Sequence, residues 1–344
     1  MESDEIAAEA NQPENEAQGG TETRAVSGRQ KLWLVASLIL NVVLSVSLVL
    51  VLFTPLDGGV SSNPRPSGPN AKLGSGIQGN TTNRPDAALS IDEVYPQSYD
   101  LGSAFGDLGP QLVEAGAIDV DALRSVYLES AAPLTSSQER VLAESSAEGI
   151  VLTRGNARFL LHFFWALGLT NQNAILTEGP MWTSSEGAIE RFASTGGWTL
   201  AEVPVTELYA SAPIVVLTPA QQARLETVAA NVYRPCCNNP TLFPDCNHGM
   251  AMLGLLQVLA AEDASEAEMY EAAKVANMFW FPAQTVELAM FFNAVLEQPF
   301  DEVDAKMAVG PEAFSGSGFA SVHRWLGENG FLEQAPEGGS SCGV

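Results

Sequence analysis

The pattern of apolar and polar residues changes character several times along the 344-residue chain. The run 32–53 (LWLVASLILNVVLSVSLVLVLF) carries no charge, and its polar members are Ser37, Asn41, Ser45 and Ser47. At about 1.5 Å per residue it reaches roughly 33 Å, enough to cross a hydrocarbon core. A core helix of a soluble protein shows a broad polar face, whereas this run has only a thin stripe. The run is long and continues into Thr54-Pro55-Leu56 instead of a small-residue cleavage site. It therefore predicts an uncleaved transmembrane signal anchor. Residues 1–23, acidic and almost without large apolar side chains, predict a disordered cytoplasmic tail. Residues 54–90, dense in Pro, Gly, Ser and Asn, predict a flexible linker.

From residue 91 to about 335 apolar positions recur every three to five residues, which predicts a multi-helix domain of the all-α class. Leu108, Leu112, Val113, Ile118, Leu123, Val126 and Tyr127 mark a short helix pair broken near Gly116. Helices are expected at 136–147 and at 156–167, the second ended by Gly168. Another is expected from Thr218-Pro219, with Thr218 as N-cap and Pro219 at the first position, to about Tyr233. Asp245 is expected to cap 246–261, and Ser265 a helix ending near Phe281-Pro282. Two more follow at 283–297 and 317–328. Residues 170–200 read as mostly loop, and 212–217 (APIVVL) is the one strand-like piece. Residues 336–344 form a Gly/Ser-rich tail that carries Cys342.

Hydrophobic content of 46% against 17% charged supplies material for a buried core. The formal net charge of −25 repels phosphate backbones, so nucleic acid is set aside as a partner. Arg24, Arg29 and Lys31 flank the apolar run on its N-terminal side, and no basic residue follows it until Arg65. Positive-inside counting places the N-terminus in the cytoplasm and the helical domain outside it, at the cell membrane. A protein partner or a homo-oligomer is left open.

Chemistry concentrates in 234–250 (RPCCNNPTLFPDCNHGM), which holds three of the four cysteines and one of the three histidines. Prolines and asparagines favour turns there, and the segment enters a helix at Cys246, where backbone N–H groups and the helix dipole favour thiolate. Four readings fit. Cys236, Cys237 and Cys246 as thiolates with His248 as a neutral imidazole suit zinc or copper, with Asp245 as helix cap and further partner. The spacing C-C-x8-C-x-H matches no usual zinc-finger pattern and is not the C-x-x-C-H of haem attachment. A thiol oxidoreductase would use Cys246 as low-pKa thiol, with Cys237 resolving and His248 as base. Disulfides, Cys236 or Cys237 with Cys246 and the other with Cys342, suit an oxidising compartment. The last reading is a non-enzymatic binding or scaffold domain in which the loop is only a rigid connector. His162 reads as a core residue and His323 as a surface one. No phosphate loop, H-E-x-x-H or EF-hand pattern is present.

Overall fold

The structure is a computed structural model and describes residues 91–332. The expected tail 1–23, membrane span 32–53, linker 54–90 and Cys342 tail lie outside the described residues. Among the described residues, no helix is long and apolar enough to cross a membrane.

The described part is mostly helical, as the spacing predicts. Helix α1 (Leu108–Glu114) and α2 (Val120–Glu129) form the expected pair, and Gly116 between them sits at φ +71, a conformation only glycine adopts without strain. Helix α3 spans Ser136–Ala143. Helices α4 (Ala157–Thr170) and α5 (Pro219–Ala229) follow, the latter closed by a capping box between Thr218 and Gln221. Helix α6 covers Asn247–Ala261. Helix α7 (Glu266–Trp280) begins with a capping box between Ser265 and Glu268, and α8 (Pro282–Leu296) and α9 (Gly316–Glu328) complete the set.

Two strands depart from a purely α-helical reading. Strand β1 (Tyr99–Gly106) pairs antiparallel with β2 (Ser146–Leu152), Tyr99 opposite Leu152 and Gly106 opposite Ser146. Leu101, Ser103 and Phe105 turn inward while the residues between them face outward, the period-two pattern of a half-buried strand. Helix α3 therefore ends at Ala143, short of 147, because the next residues join the sheet. The segment 212–217 is not a strand: Ala212 makes only an isolated parallel bridge to Asn171. Residues 170–200, expected as loop, contain four short helical turns, Ala174–Thr177, Pro180–Ser185, Ile189–Arg191 and Ala193–Gly196.

The core is built around the crossing of α4 and α6. Both are apolar on nearly every face, and each is buried along most of its length. Each fully buried Leu or Phe removed from water contributes about 1.5–3 kcal/mol. Gly168 does not end α4, which runs two residues further. A Cβ there would lie 2.1 Å from the Met250 carbonyl oxygen, and one at Gly254 would lie 2.2 Å from that of Phe164. The two glycines let the helix backbones touch. The α5–α6 connection, 230–246, is tied down through Thr241 N–H to the Val232 carbonyl (2.8 Å), Leu242 N–H to that of Ala229 (2.9 Å) and Tyr233 N–H to that of Val309 (2.8 Å). That connection carries the cysteines.

Candidate metal centre

The α5–α6 connection folds back on itself so that Cys236 and Cys237 come over the start of α6. The sulfurs of Cys236, Cys237 and Cys246 all lie within 4.8 Å of one another. Cys236 Sγ and Cys246 Sγ are 3.5 Å apart, and the three cysteines are free thiols, not disulfides. A zinc–thiolate bond of about 2.3 Å places tetrahedrally arranged sulfurs roughly 3.8 Å apart, so this spacing matches sulfurs around one ion. Cys236 is exposed and the other two are half-buried, which leaves an approach from solvent.

Cys246 is itself the N-cap of α6: its sulfur accepts the Gly249 N–H at 3.4 Å. Asp245 was expected to cap this helix and does not. Its carboxylate turns back into the connection, where Oδ1 meets Arg234 Nη2 at 2.7 Å and Oδ2 accepts from Asn239 Nδ2 at 2.7 Å. The thiol of Cys237 points at the same carboxylate, 3.6 Å from Oδ1.

Arg234 organises the loop and was not singled out in the sequence. Its guanidinium, only 1% exposed, donates from Nε to Cys246 Sγ at 2.9 Å. Nη1 donates to the Asn239 carbonyl at 2.9 Å, and Nη2 to the Phe243 carbonyl at 3.1 Å as well as to Asp245. Gly249 makes room for it, since a Cβ there would lie 2.4 Å from the guanidinium carbon. Burial opposes the arginine's charge, but the facing Cys246 and Cys237 sulfurs and Asp245 hold it protonated.

The sulfurs share out their protons unequally. Hydrogen bonds from Cys236 and Cys237, supported by the Arg234 charge, hold the Cys246 thiol well below the usual range. Hydrogen bonding to Cys237 and Cys246, together with burial, holds Cys236 well above it. At Cys237 the bond with Cys236 lowers the value, yet the bond with Cys246 and burial win and push it up to about 11. One thiolate supported by two thiols is the outcome, and it sits where helix and arginine both favour negative charge.

His248 does not join the group. Its nitrogens fall outside the set of atoms within 4.8 Å, Nδ1 lies 2.9 Å from Asn247 Oδ1, and the ring packs on Phe281 with centroids 4.4 Å apart. Burial pushes its pKa down. Met250 is fully buried in the core. His162 contacts Tyr127 Oη at 3.1 Å and packs against Trp198 inside the fold, where burial lowers it to about 4. His323 is exposed and meets Glu287 at 2.7 Å.

Among the described residues, the three cysteines form the one group of soft donors close enough to hold an ion together. Comparison with protein-family models, with curated proteins and with solved structures finds no match to this chain.

Proposed function

We propose that this protein binds a soft or borderline metal ion, zinc or copper(I), through Cys236, Cys237 and Cys246. The observation that carries the reading is the convergence of three sulfurs within 4.8 Å on a loop tied down by a buried arginine. Three thiolates select ions that favour sulfur over oxygen, which sets magnesium and calcium aside. The fourth position goes to solvent or a small ligand, since the nitrogens of His248 fall outside the group of donor atoms within 4.8 Å. Arg234 offsets part of the negative charge that three thiolates accumulate, and Asp245 orients Arg234 and Cys237.

The test is a zinc titration of the reduced full-length chain against a chromogenic chelator, with the bound metal counted by elemental analysis. About one equivalent per chain is expected, and Cys246→Ala abolishes it. Absence of bound zinc and copper in reduced protein whose three thiols all alkylate would refute the reading.

The run 32–53 supports placing this domain outside the cytoplasm on a membrane tether. A chain released from membranes by alkaline carbonate would argue against that tether.

A further inference from the structure

We propose that the metal site is also a peroxide-responsive redox switch, in which Cys236 and Cys246 close into a disulfide that expels the ion while Cys237 stays a thiol. The inference rests on the metal reading in one respect: the sulfurs that bond to each other are two of the three ligands.

Geometry selects the pair. Cys236 Sγ and Cys246 Sγ stand 3.5 Å apart, and Cys236 is the exposed member of the group. They lie on different parts of the connection, ten residues apart, so a small side-chain rotation brings the sulfurs to bonding distance. Cys237 is less suited to either partner. Its sulfur faces Asp245 Oδ1 at 3.6 Å and the Asn239 carbonyl at 3.8 Å, and its backbone is fixed by its carbonyl accepting the Gly316 N–H at 2.8 Å. A bond between Cys236 and Cys237 themselves would span neighbouring Cα atoms about 3.8 Å apart, below the usual disulfide range of about 4.4–6.8 Å.

The chemistry balances with a peroxide as oxidant. The Cys246 sulfur, held by Arg234 Nε–H and Gly249 N–H, attacks one peroxide oxygen as thiolate. An S–O bond forms, the O–O bond breaks, and the departing hydroxide takes a proton from solvent to leave as water. The Cys236 sulfur then attacks the Cys246 sulfur. The S–S bond forms, the S–O bond breaks, and hydroxide leaves with the Cys236 proton as a second water. Two thiols have lost two electrons and one peroxide has gained them. With two of three ligands converted to a neutral disulfide, the remaining sulfur has no partner with which to hold the ion.

The experiment treats reduced full-length protein with hydrogen peroxide, in metal-free and zinc-loaded forms. Cleavage on the N-terminal side of Asp245 separates Cys246 from the vicinal pair, and the crosslinked peptides are mapped by mass spectrometry without reduction. The expected product is Cys236 joined to Cys246 with Cys237 alkylatable, and zinc released in step with it. Cys237→Ser should still give the Cys236–Cys246 crosslink, while Cys236→Ser should slow crosslinking to Cys246 by about tenfold or more, the resolving thiol being lost. A product joining Cys237 to Cys246, Cys236 to Cys237 or Cys342 to any of them would overturn the proposal, as would zinc retained after the expected bond has formed. The metal-free arm keeps the two readings apart. Failure to bind either zinc or copper(I) sinks the metal reading, whereas the wrong crosslink in a metal-binding protein sinks the switch alone.

Discussion

Arg234 shows how much of the site depends on one side chain. Four hydrogen bonds leave its fork, to Cys246 Sγ, the carbonyls of Asn239 and Phe243, and Asp245 Oδ1. Removing one member of a buried charge pair leaves the other uncompensated, at a cost of about 3–5 kcal/mol. Arg234→Gln is therefore expected to lower the unfolding free energy of the metal-free protein, measured by urea denaturation, by an amount in the lower part of that range, since Asp245 keeps partial access to water. Arg234→Lys keeps the charge but replaces a planar fork with a single ammonium, and should recover only part of the loss. A lysine variant as stable as wild type would show that charge alone matters and the fork does not. The sequence disclosed the thiols of this site but not their organiser. Cysteines amid Pro and Asn are conspicuous in any chain, whereas an arginine becomes central only when the fold buries it, and Arg234 looked like one more polar residue before a turn. His248 was misleading for a local reason. It lies two positions beyond Cys246, and residues two apart at a helix start point to different faces, so proximity in sequence carried the imidazole onto Phe281 instead of toward the sulfurs.

Between elements, the contact of α4 with α6 depends on two glycines facing each other's backbone. A methyl at Gly254 would lie 2.2 Å from the Phe164 carbonyl oxygen and one at Gly168 would lie 2.1 Å from that of Met250. Neither obstacle is a movable side chain, so the helices must separate. Gly254→Ala and Gly168→Ala are each expected to destabilise the domain by about 1–3 kcal/mol or more, despite alanine's better helix propensity. The double variant should lose less than the sum, because one widening of the crossing accommodates both methyls. Full additivity in chemical denaturation would mean that the two strains are relieved independently. Gly168 does not end α4 although a glycine after an apolar helical run resembles a terminator, because here it serves a close approach that only the partner helix reveals. Helices opened by Thr218-Pro219 and Ser265 were legible because their caps are local chemistry. The sheet was not. Gly102, Ser103 and Gly106 dilute the alternation of β1, and Ser146-Ala147-Glu148-Gly149 gives β2 an almost wholly polar start. Pairing across the intervening helices, with two register shifts on the way, cannot be read from either segment alone.

For the whole molecule, the cysteine loop is a junction between parts of the chain far apart in sequence. The Cys237 carbonyl accepts the Gly316 N–H, Asn238 Oδ1 accepts the Ser317 N–H at 2.7 Å, and Asn277 Nδ2 donates to the Tyr233 carbonyl at 3.0 Å. The loop thus joins the starts of α6 and α9 to the last turn of α7. An ion that binds the folded loop and not the unfolded chain stabilises everything joined there by mass action, about 2.7 kcal/mol at a free metal concentration one hundred times Kd. In a domain of this size that corresponds to a rise in Tm of roughly 5–10 °C. The sign of its pH dependence follows from the thiols. Cys236 and Cys237 are held above the usual range and keep their protons at neutral pH, and an ion must displace those protons to bind. Acid therefore favours the metal-free form, and the zinc-induced rise in Tm should grow from pH 6 to pH 8. Calorimetry with and without zinc at the two pH values measures it, with a variant carrying alanine at all three cysteines as control. An equal rise in that control, or a rise that shrinks as pH increases, would place the stabilising zinc elsewhere on this strongly acidic protein.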